Sequence, residues 1–180
     1  MQGAYYAVMN DVTRARETFQ ALWNFYPDDI AYGLRLTHQQ LLGGELDEAR
    51  VTIDRLRALP PPADIDPRVD VVESDWFFRK AQYADALRVA GSGADKAKRR
   101  KSNQILAILT MTQARSATRL DQLAAGRRYA AEAEQLYKGL GDNGGVAEAL
   151  LADAVILLTQ GLPQEAEQRL EPALQTALQM

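Results

Sequence analysis

The 180-residue sequence contains no cysteine and only one histidine, His38. The first absence removes disulfides, thiolate metal sites and a cysteine nucleophile, and leaves nothing that argues for an oxidising compartment. The second removes a histidine pair for metal and makes any serine, histidine and acid set depend on a single ring. Long apolar runs are also missing. Ala154-Val155-Ile156-Leu157-Leu158 is typical of the longest, far short of the roughly 20 residues that cross a bilayer. Residues 1–20 carry Asn10, Asp11, Arg14, Arg16 and Glu17, so they lack the basic start and apolar middle of a secretion signal. There is no glycine loop with phosphate-cradling spacing; Gly91-Ser92-Gly93 has no strand before it and reads as a hinge between helices. A formal net charge of −3 gives no global attraction to nucleic acid or anionic lipid. These absences lead to the expectation of a cytoplasmic, non-enzymatic chain with no membrane partner, no metal and no other cofactor.

What is present is a repeat. Apolar residues make up 47% of the chain, too many for disorder and enough for a continuous core. An alanine followed by apolar residues four and seven positions later marks one helical face. That pattern occurs at Ala49, Ile53 and Leu56, at Ala15, Phe19 and Leu22, and at Ala166, Leu170 and Ala173. It recurs in weaker form at Gly126, Ala130 and Ala133, and starts at Ala86 and Ala90 before Gly93 interrupts it. The anchors at 15, 49, 86, 126 and 166 are therefore separated by 34, 37, 40 and 40 residues, and repeats of this length mark stacked helical hairpins. Five residues before each anchor stand Asn10, Gly44, Ala81, Asp121 and Gly161, mostly turn formers suited to reversing the chain between antiparallel helices. Each anchor thus opens a second helix. A small residue is expected there because the two helices cross closely at that point.

These residues resemble the tetratricopeptide repeat. Gly3, Tyr6, Ala15, Phe19 and Pro27 match five positions of its pattern in one copy. The second copy keeps Leu36, Gly44, Ala49 and Pro61, with Gln40 where an aromatic is usual, and the third keeps Phe77, Tyr83 and Ala86. The last two copies resemble the longer variety of about 40 residues, with a Gly141-Asp142 turn closing a second helix. The resemblance implies an all-α, tetratricopeptide-like superhelix: a right-handed solenoid of antiparallel helix pairs with about five repeats. They fall at roughly 1–29, 30–63, 64–93, 94–143 and 144–180 within a single domain.

Helices are expected over 3–9, 12–25, 30–42, 46–58, 67–80, 83–90, 95–119, 122–139, 144–160 and 163–179, with no strand. Segments 60–67 and 91–94 are expected to be mobile. Pro172 is expected to kink or stop the last helix near Glu171. Met1 falls inside a repeat, and Ala173, Leu174, Ala177 and Leu178 have no following helix to cover them. Solenoids need polar caps, so the chain reads as a fragment of a longer protein, or as one that self-associates through its ends.

Two surface features carry candidate chemistry. Acidic pairs at Asp28-Asp29 and at Asp64 with Asp66 suit helix capping better than acid–base catalysis. The basic run Lys96, Lys98, Arg99, Arg100 and Lys101 could grip phosphates, and supports an alternative role in auxiliary nucleic-acid contact. No aromatic residues interleave to stack on bases, so it is expected to be a solvated face at the start of a long helix.

In tetratricopeptide arrays ligands lie in the concave groove lined by the first helix of each pair. Matching positions here are Leu34, His38 and Leu41, then Val71, Asp75, Phe78 and Arg79, then Met111, Arg115, Thr118 and Arg119, then Leu151, Val155 and Leu158. Arg79, Arg115 and Arg119 together would suit a carboxylate or phosphate. The resemblance implies a scaffold that binds a peptide or partner domain. The stretch from Leu22-Trp23-Asn24-Phe25-Tyr26-Pro27 to Leu59-Pro60-Pro61-Pro62 also resembles repeat regions of bacterial winged-helix transcriptional regulators and eukaryotic-like serine/threonine kinases. That likeness implies the sensory or regulatory part of a signalling protein.

Overall fold

The computed structural model describes residues 12–178, with side chains described up to residue 172 except at residue 64. The helix expected over 3–9, the turn residue Asn10 and the terminal residues Ala173, Leu174, Ala177 and Leu178 as side chains lie outside this description. Among the described residues the elements are α1 (Val12–Phe25), α2 (Ile30–Leu42), α3 (Leu46–Arg57), a short 3₁₀ turn (Ala63–Ile65), α4 (Pro67–Arg79), α5 (Tyr83–Arg99), α6 (Asn103–Arg119), α7 (Leu123–Leu140), α8 (Asn143–Thr159) and α9 (Pro163–Leu178). The chain is an all-α, tetratricopeptide-like solenoid. Its complete pairs are α2/α3, α4/α5, α6/α7 and α8/α9, and each helix packs on its neighbours in sequence.

The anchor register holds wherever it is described. Ala15, Ala49, Ala86 and Ala166 are fully buried, and Gly126 is buried as well. Glycine replaces alanine at 126 for a steric reason: a Cβ there would sit 2.8 Å from Thr118 Oγ1 and 3.1 Å from Ile156 Cδ1. The turns obey the same register. Gly44, Ala81, Asp121 and Gly161, each five residues before an anchor, all have positive φ, as do Lys101 and Gly141 between pairs. From Ala81 onward these left-handed residues fall at 81, 101, 121, 141 and 161, so each helix with its turn takes 20 residues. At each, two backbone bonds close the helix end, as in Gln82 N–H to Phe77 O at 2.9 Å and Ala81 N–H to Phe78 O at 3.0 Å. This double bond satisfies carbonyls that the helix itself leaves unpaired.

Three expectations need correction. The hinge and mobile segment expected at 91–94 is continuous helix, and α5 runs from Tyr83 to Arg99. The third hairpin accordingly ends near residue 100 rather than 93. Gly93 serves close packing instead: a Cβ there would lie 2.5 Å from Asp70 Cβ and 2.9 Å from Leu109 Cδ1. The basic run consequently closes a helix instead of opening one, where cations complement the negative end of the helix dipole. Finally, of the kink or stop expected at Pro172, the stop does not occur: α9 continues to Leu178, and proline removes one intrahelical hydrogen bond there without ending the helix.

The capping expectation holds for one acid of each pair, Asp29 and Asp66; Asp28 makes no cap bond among the described residues, and the Asp64 side chain lies outside the description. Asp29 Oδ1 accepts from Ala31 N–H at 2.9 Å, and Asp66 Oδ1 from Arg68 N–H at 2.9 Å. The apolar core runs as successive clusters, from Trp23, Leu36, Ile53, Leu56 and Val69 at one end to Ala154, Leu157 and Ala166 at the other. Between α3, α4 and α5 lies a buried ionic cluster. Asp70 accepts from Arg57 Nη2 at 2.8 Å and from Lys96 Nζ at 2.9 and 3.0 Å, while Glu73 accepts from Arg57 Nε at 2.9 Å. With Asp70 almost entirely removed from solvent, these partners offset most of the cost of burying its charge.

Candidate binding groove

The first helices α2, α4, α6 and α8 touch one another in succession, whereas second helices lie against the first helices of the next pair. First helices therefore line a common inner face. Residues at i, i+4 and i+7 of each face it in the same register: 71, 75 and 78 on α4, 111, 115 and 118 on α6, and 151, 155 and 158 on α8.

Two adjoining hollows occupy this face. One, of about 460 Å³, is lined by Phe78, Met111, Arg115, Arg119, Leu151 and Val155, among others. The other, of about 300 Å³, is bounded by His38, Leu41, Val71, Asp75, Arg79 and again Met111 and Arg115. Arg115 and Met111 thus join the two. Leu34 departs from expectation, packing in the core with Phe19 and edging a separate hollow beside His38. Leu158 is exposed beside the groove.

The three arginines are not equivalent. Arg79 Nε donates to Asp75 Oδ2 at 2.9 Å, one helical turn away, and its charge is largely spent. Arg115 holds its guanidinium 4.5 Å from the Phe78 ring centre and 4.0 Å from Glu148 Oε1, a stacked position that leaves its edge donors available. Arg119 is exposed and makes no ion pair or hydrogen bond among the described residues. Arg115 and Arg119 share the larger hollow, and Arg115 and Arg79 the smaller.

The apolar part of the groove is unusual in its exposure. Leu151, Val155 and Leu158 are 52%, 47% and 53% exposed, while Leu150, Ala154, Ile156 and Leu157 on the same helix are buried. Helix α8 is therefore apolar on the side that packs and on the side that does not. Glu148, Ala152 and Thr159 also line the larger hollow. The sequence reading missed them, although their spacing from Leu151 and Val155 is helical. Tyr137 borders the smaller hollow; burial, reinforced by the charges of Glu148 and Asp142, pushes its hydroxyl up to about 12. It remains protonated across the physiological range.

The basic run is dispersed. Lys96 is tied to Asp70, Lys98 Nζ lies 3.4 Å from Glu132 Oε1, and Arg100 Nη1 lies 3.9 Å from Asp66 Oδ2. Arg99 and Lys101 are exposed at the helix end without such partners. Among the described residues no group of three metal-ligating side chains comes together, and no helix is long and apolar enough to cross a membrane.

No protein-family model matches the sequence, and no curated protein matches it. Solved structures do match. A crystal structure of MamA is similar with a TM-score of 0.64 and 14% identity, covering 98% of this chain and 95% of that one. A second MamA structure gives 0.66 at 12% identity over 97% and 87%. BtubC (BKLC) from P. vanneervenii gives 0.71 at 15% identity over 95% and 72%. These neighbours are tetratricopeptide-like helical proteins, and at such identities the likeness concerns the fold.

Proposed function

We propose that this chain is a protein-binding module whose groove across α4, α6 and α8 takes a segment of a partner. The segment presents a bulky apolar side chain with an acidic residue beside it. One observation carries this reading: the half-exposed Leu151 and Val155 share a hollow with Phe78, Met111, Arg115 and Arg119, and Leu158 extends the exposed apolar stripe on the same helix. Exposed apolar surface rimmed by polar groups is characteristic of interaction sites. The open groove suits an extended or helical segment better than an enclosed small substrate. A binding role is favoured over catalysis, since the buried carboxylates among the described residues, Asp66, Asp70, Glu134 and Asp153, are all engaged by arginine or lysine.

Selection of peptides from a displayed random library tests this. Wild-type protein is expected to enrich sequences pairing an aliphatic or aromatic residue with Asp or Glu. Val155→Asp is expected to abolish enrichment, and Arg119→Glu to remove the acidic preference alone, both with unchanged thermal stability. An enriched pool indifferent to Val155→Asp refutes the groove. The sensory or regulatory role suggested by the sequence resemblance depends on such a partner. It gains support if a groove-binding segment is found in a signalling protein.

A further inference from the structure

A further, polar hollow, of about 590 Å³, lies away from the groove between the second helices α7 and α9, with Asp153 of α8 and Gln160 just past its end at the edge. On α7 its wall is Ala124, Arg127, Arg128 and Ala131, a spacing of i, i+3, i+4 and i+7 that defines one helix face. The two alanines leave the space and the two arginines project beside it. Arg169 of α9 stands opposite.

The carboxylates here fix the arginines without neutralising them. Arg127 Nε donates to Asp153 Oδ1 at 2.9 Å, and Arg169 Nε to Asp153 Oδ2 at 2.7 Å. Arg169 Nη2 also donates to Glu134 Oε2 at 2.6 Å, and Lys138 Nζ to Glu134 Oε1 at 2.6 Å. Both oxygens of each acid are thus occupied. Arg127, Arg169 and Lys138 share two carboxylates, and Arg128 bonds to neither. Arg127 is held through Nε, so its terminal nitrogens remain free to donate. Arg128 has no ion pair or hydrogen bond among the described residues and only stacks on Tyr129, 5.2 Å from the ring centre.

The repeat supplies its own comparison. One period of 40 residues earlier, Arg127, Asp153 and Arg169 correspond to Leu87, Gln113 and Tyr129. Arg128 corresponds to Arg88, which donates to Asp85 Oδ1 at 2.8 Å; in the later unit the place of Asp85 is taken by Ala125. Packing of a hairpin does not require this charge set, and the carboxylate that would silence Arg128 is absent.

The geometry points to an oxyanion site of the phosphate class on this outer face, with Arg127 and Arg128 as the direct donors and Asp153 holding Arg127 and Arg169 in place. A forked guanidinium held by a carboxylate, as Arg127 is, with a second, unpaired guanidinium next to it in sequence, suits a tetrahedral dianion. The anion is either a free small phosphate or a phosphorylated side chain of a partner.

The test is a nuclear magnetic resonance titration of the whole chain at constant ionic strength with inorganic phosphate, a phosphoserine tripeptide and its unphosphorylated form. Saturable shifts are expected around Arg127 and Arg128 with both phosphorylated probes. Arg128→Gln, a surface change, is expected to weaken binding about tenfold with the melting temperature unchanged. The double groove variant Arg115→Gln, Arg119→Gln is expected to bind phosphate as the wild type does. Tighter binding of the phosphopeptide than of phosphate assigns the site to a phosphorylated partner, and equal binding to a small anion. The inference is overturned if neither probe saturates, if Arg128→Gln binds equally well, or if the shifts fall in the groove. Because the groove is read out separately, either reading can fail alone.

Discussion

The substitution Gly93→Ala separates two accounts of the Gly91-Ser92-Gly93 segment by the sign of its effect. If these glycines formed a hinge or merely weakened a helix, alanine at 93 would stabilise the chain by about 1 kcal/mol through helix propensity and reduced unfolded-state entropy. The structure predicts the opposite. The added Cβ would lie 2.5 Å from Asp70 Cβ, an atom that moves only with its own backbone, and 2.9 Å from Leu109 Cδ1. Helix α5 must therefore move off α4 by about 1 Å to restore ordinary contact, at the roughly 1–3 kcal/mol of an overpacked core. The same movement loosens the bonds from Arg57 and Lys96 to the buried Asp70, and breaking such a pair costs about 3–5 kcal/mol. After the propensity gain, a net loss of up to about 2 kcal/mol is expected if the ionic cluster follows the helix, and of about 3 kcal/mol or more if its bonds break. Gly91→Ala is the internal control. Its Cβ meets only Gln113 Nε2, at 3.5 Å, so it is expected to gain up to about 1 kcal/mol. Urea unfolding followed by far-ultraviolet circular dichroism gives both midpoints. A Gly93→Ala midpoint at or above the wild type would refute the close-packing account.

Ala81 has a φ of 57° at an exposed turn, a conformation that costs a residue with a Cβ roughly 1 kcal/mol. Ala81→Gly is expected to raise the urea midpoint by about that free energy, and an unchanged or lower midpoint would count against it. Acid should destabilise the chain through Glu134 and Asp66. At Glu134 burial opposes ionisation, but hydrogen bonds from Lys138 and Arg169 and their charges outweigh it and hold the carboxyl below its usual range. At Asp66 burial is likewise outweighed by the bonds from Arg68 and the charges of Arg68 and Arg100. A depressed folded-state pKa contributes stability that is complete above the ordinary carboxylate value of about 4 and lost as pH falls through the folded value. The urea midpoint is therefore expected to fall from about pH 4 downward. Removing one donor with Arg169→Gln should flatten that slope, and a parallel slope would refute the assignment.

The hairpin register was legible because it rests on sterics that repeat: a small buried residue where two helices cross and a left-handed residue five positions before it. Ala81 carries no turn signal of its own and is identified only by its distance from Ala86. The same logic fails at Arg100-Lys101-Ser102, where the chain turns with Lys101 left-handed and no glycine, proline or asparagine to mark it. Glycine misled the reading at 93 because one residue type serves both turns and close helix approach, and sequence does not distinguish the two. The groove side chains inherit the anchor register, so most residues lining the two hollows follow from it, with Leu34 and Leu158 as exceptions. Glu148, Ala152 and the outer cluster of Arg127, Arg128 and Arg169 were missed because the reading followed consensus positions on first helices alone.

Where the repeats differ is as informative as where they agree. Eight residues before the left-handed residues Gly44, Ala81, Asp121 and Gly161, the first helices carry Leu36, Glu73, Gln113 and Asp153. Both acids receive arginines from the preceding second helix: Glu73 from Arg50 and Arg57 of α3, Asp153 from Arg127 of α7. The joint between α5 and α6 instead packs Ala94, Ala97, Leu106 and Leu109. A buried ion pair adds little net stability over apolar packing, but its bonds are lost when a helix slides by a turn. The acids at 73 and 153 therefore set the register of their joints, whereas the joint between α5 and α6 is set by apolar packing alone. Once the second joint is fixed in this way, Arg127 is held at the surface with its outer donors free. A structural ion pair can in this way prepare a binding surface, because the carboxylate that aligns the helices also aims the guanidinium.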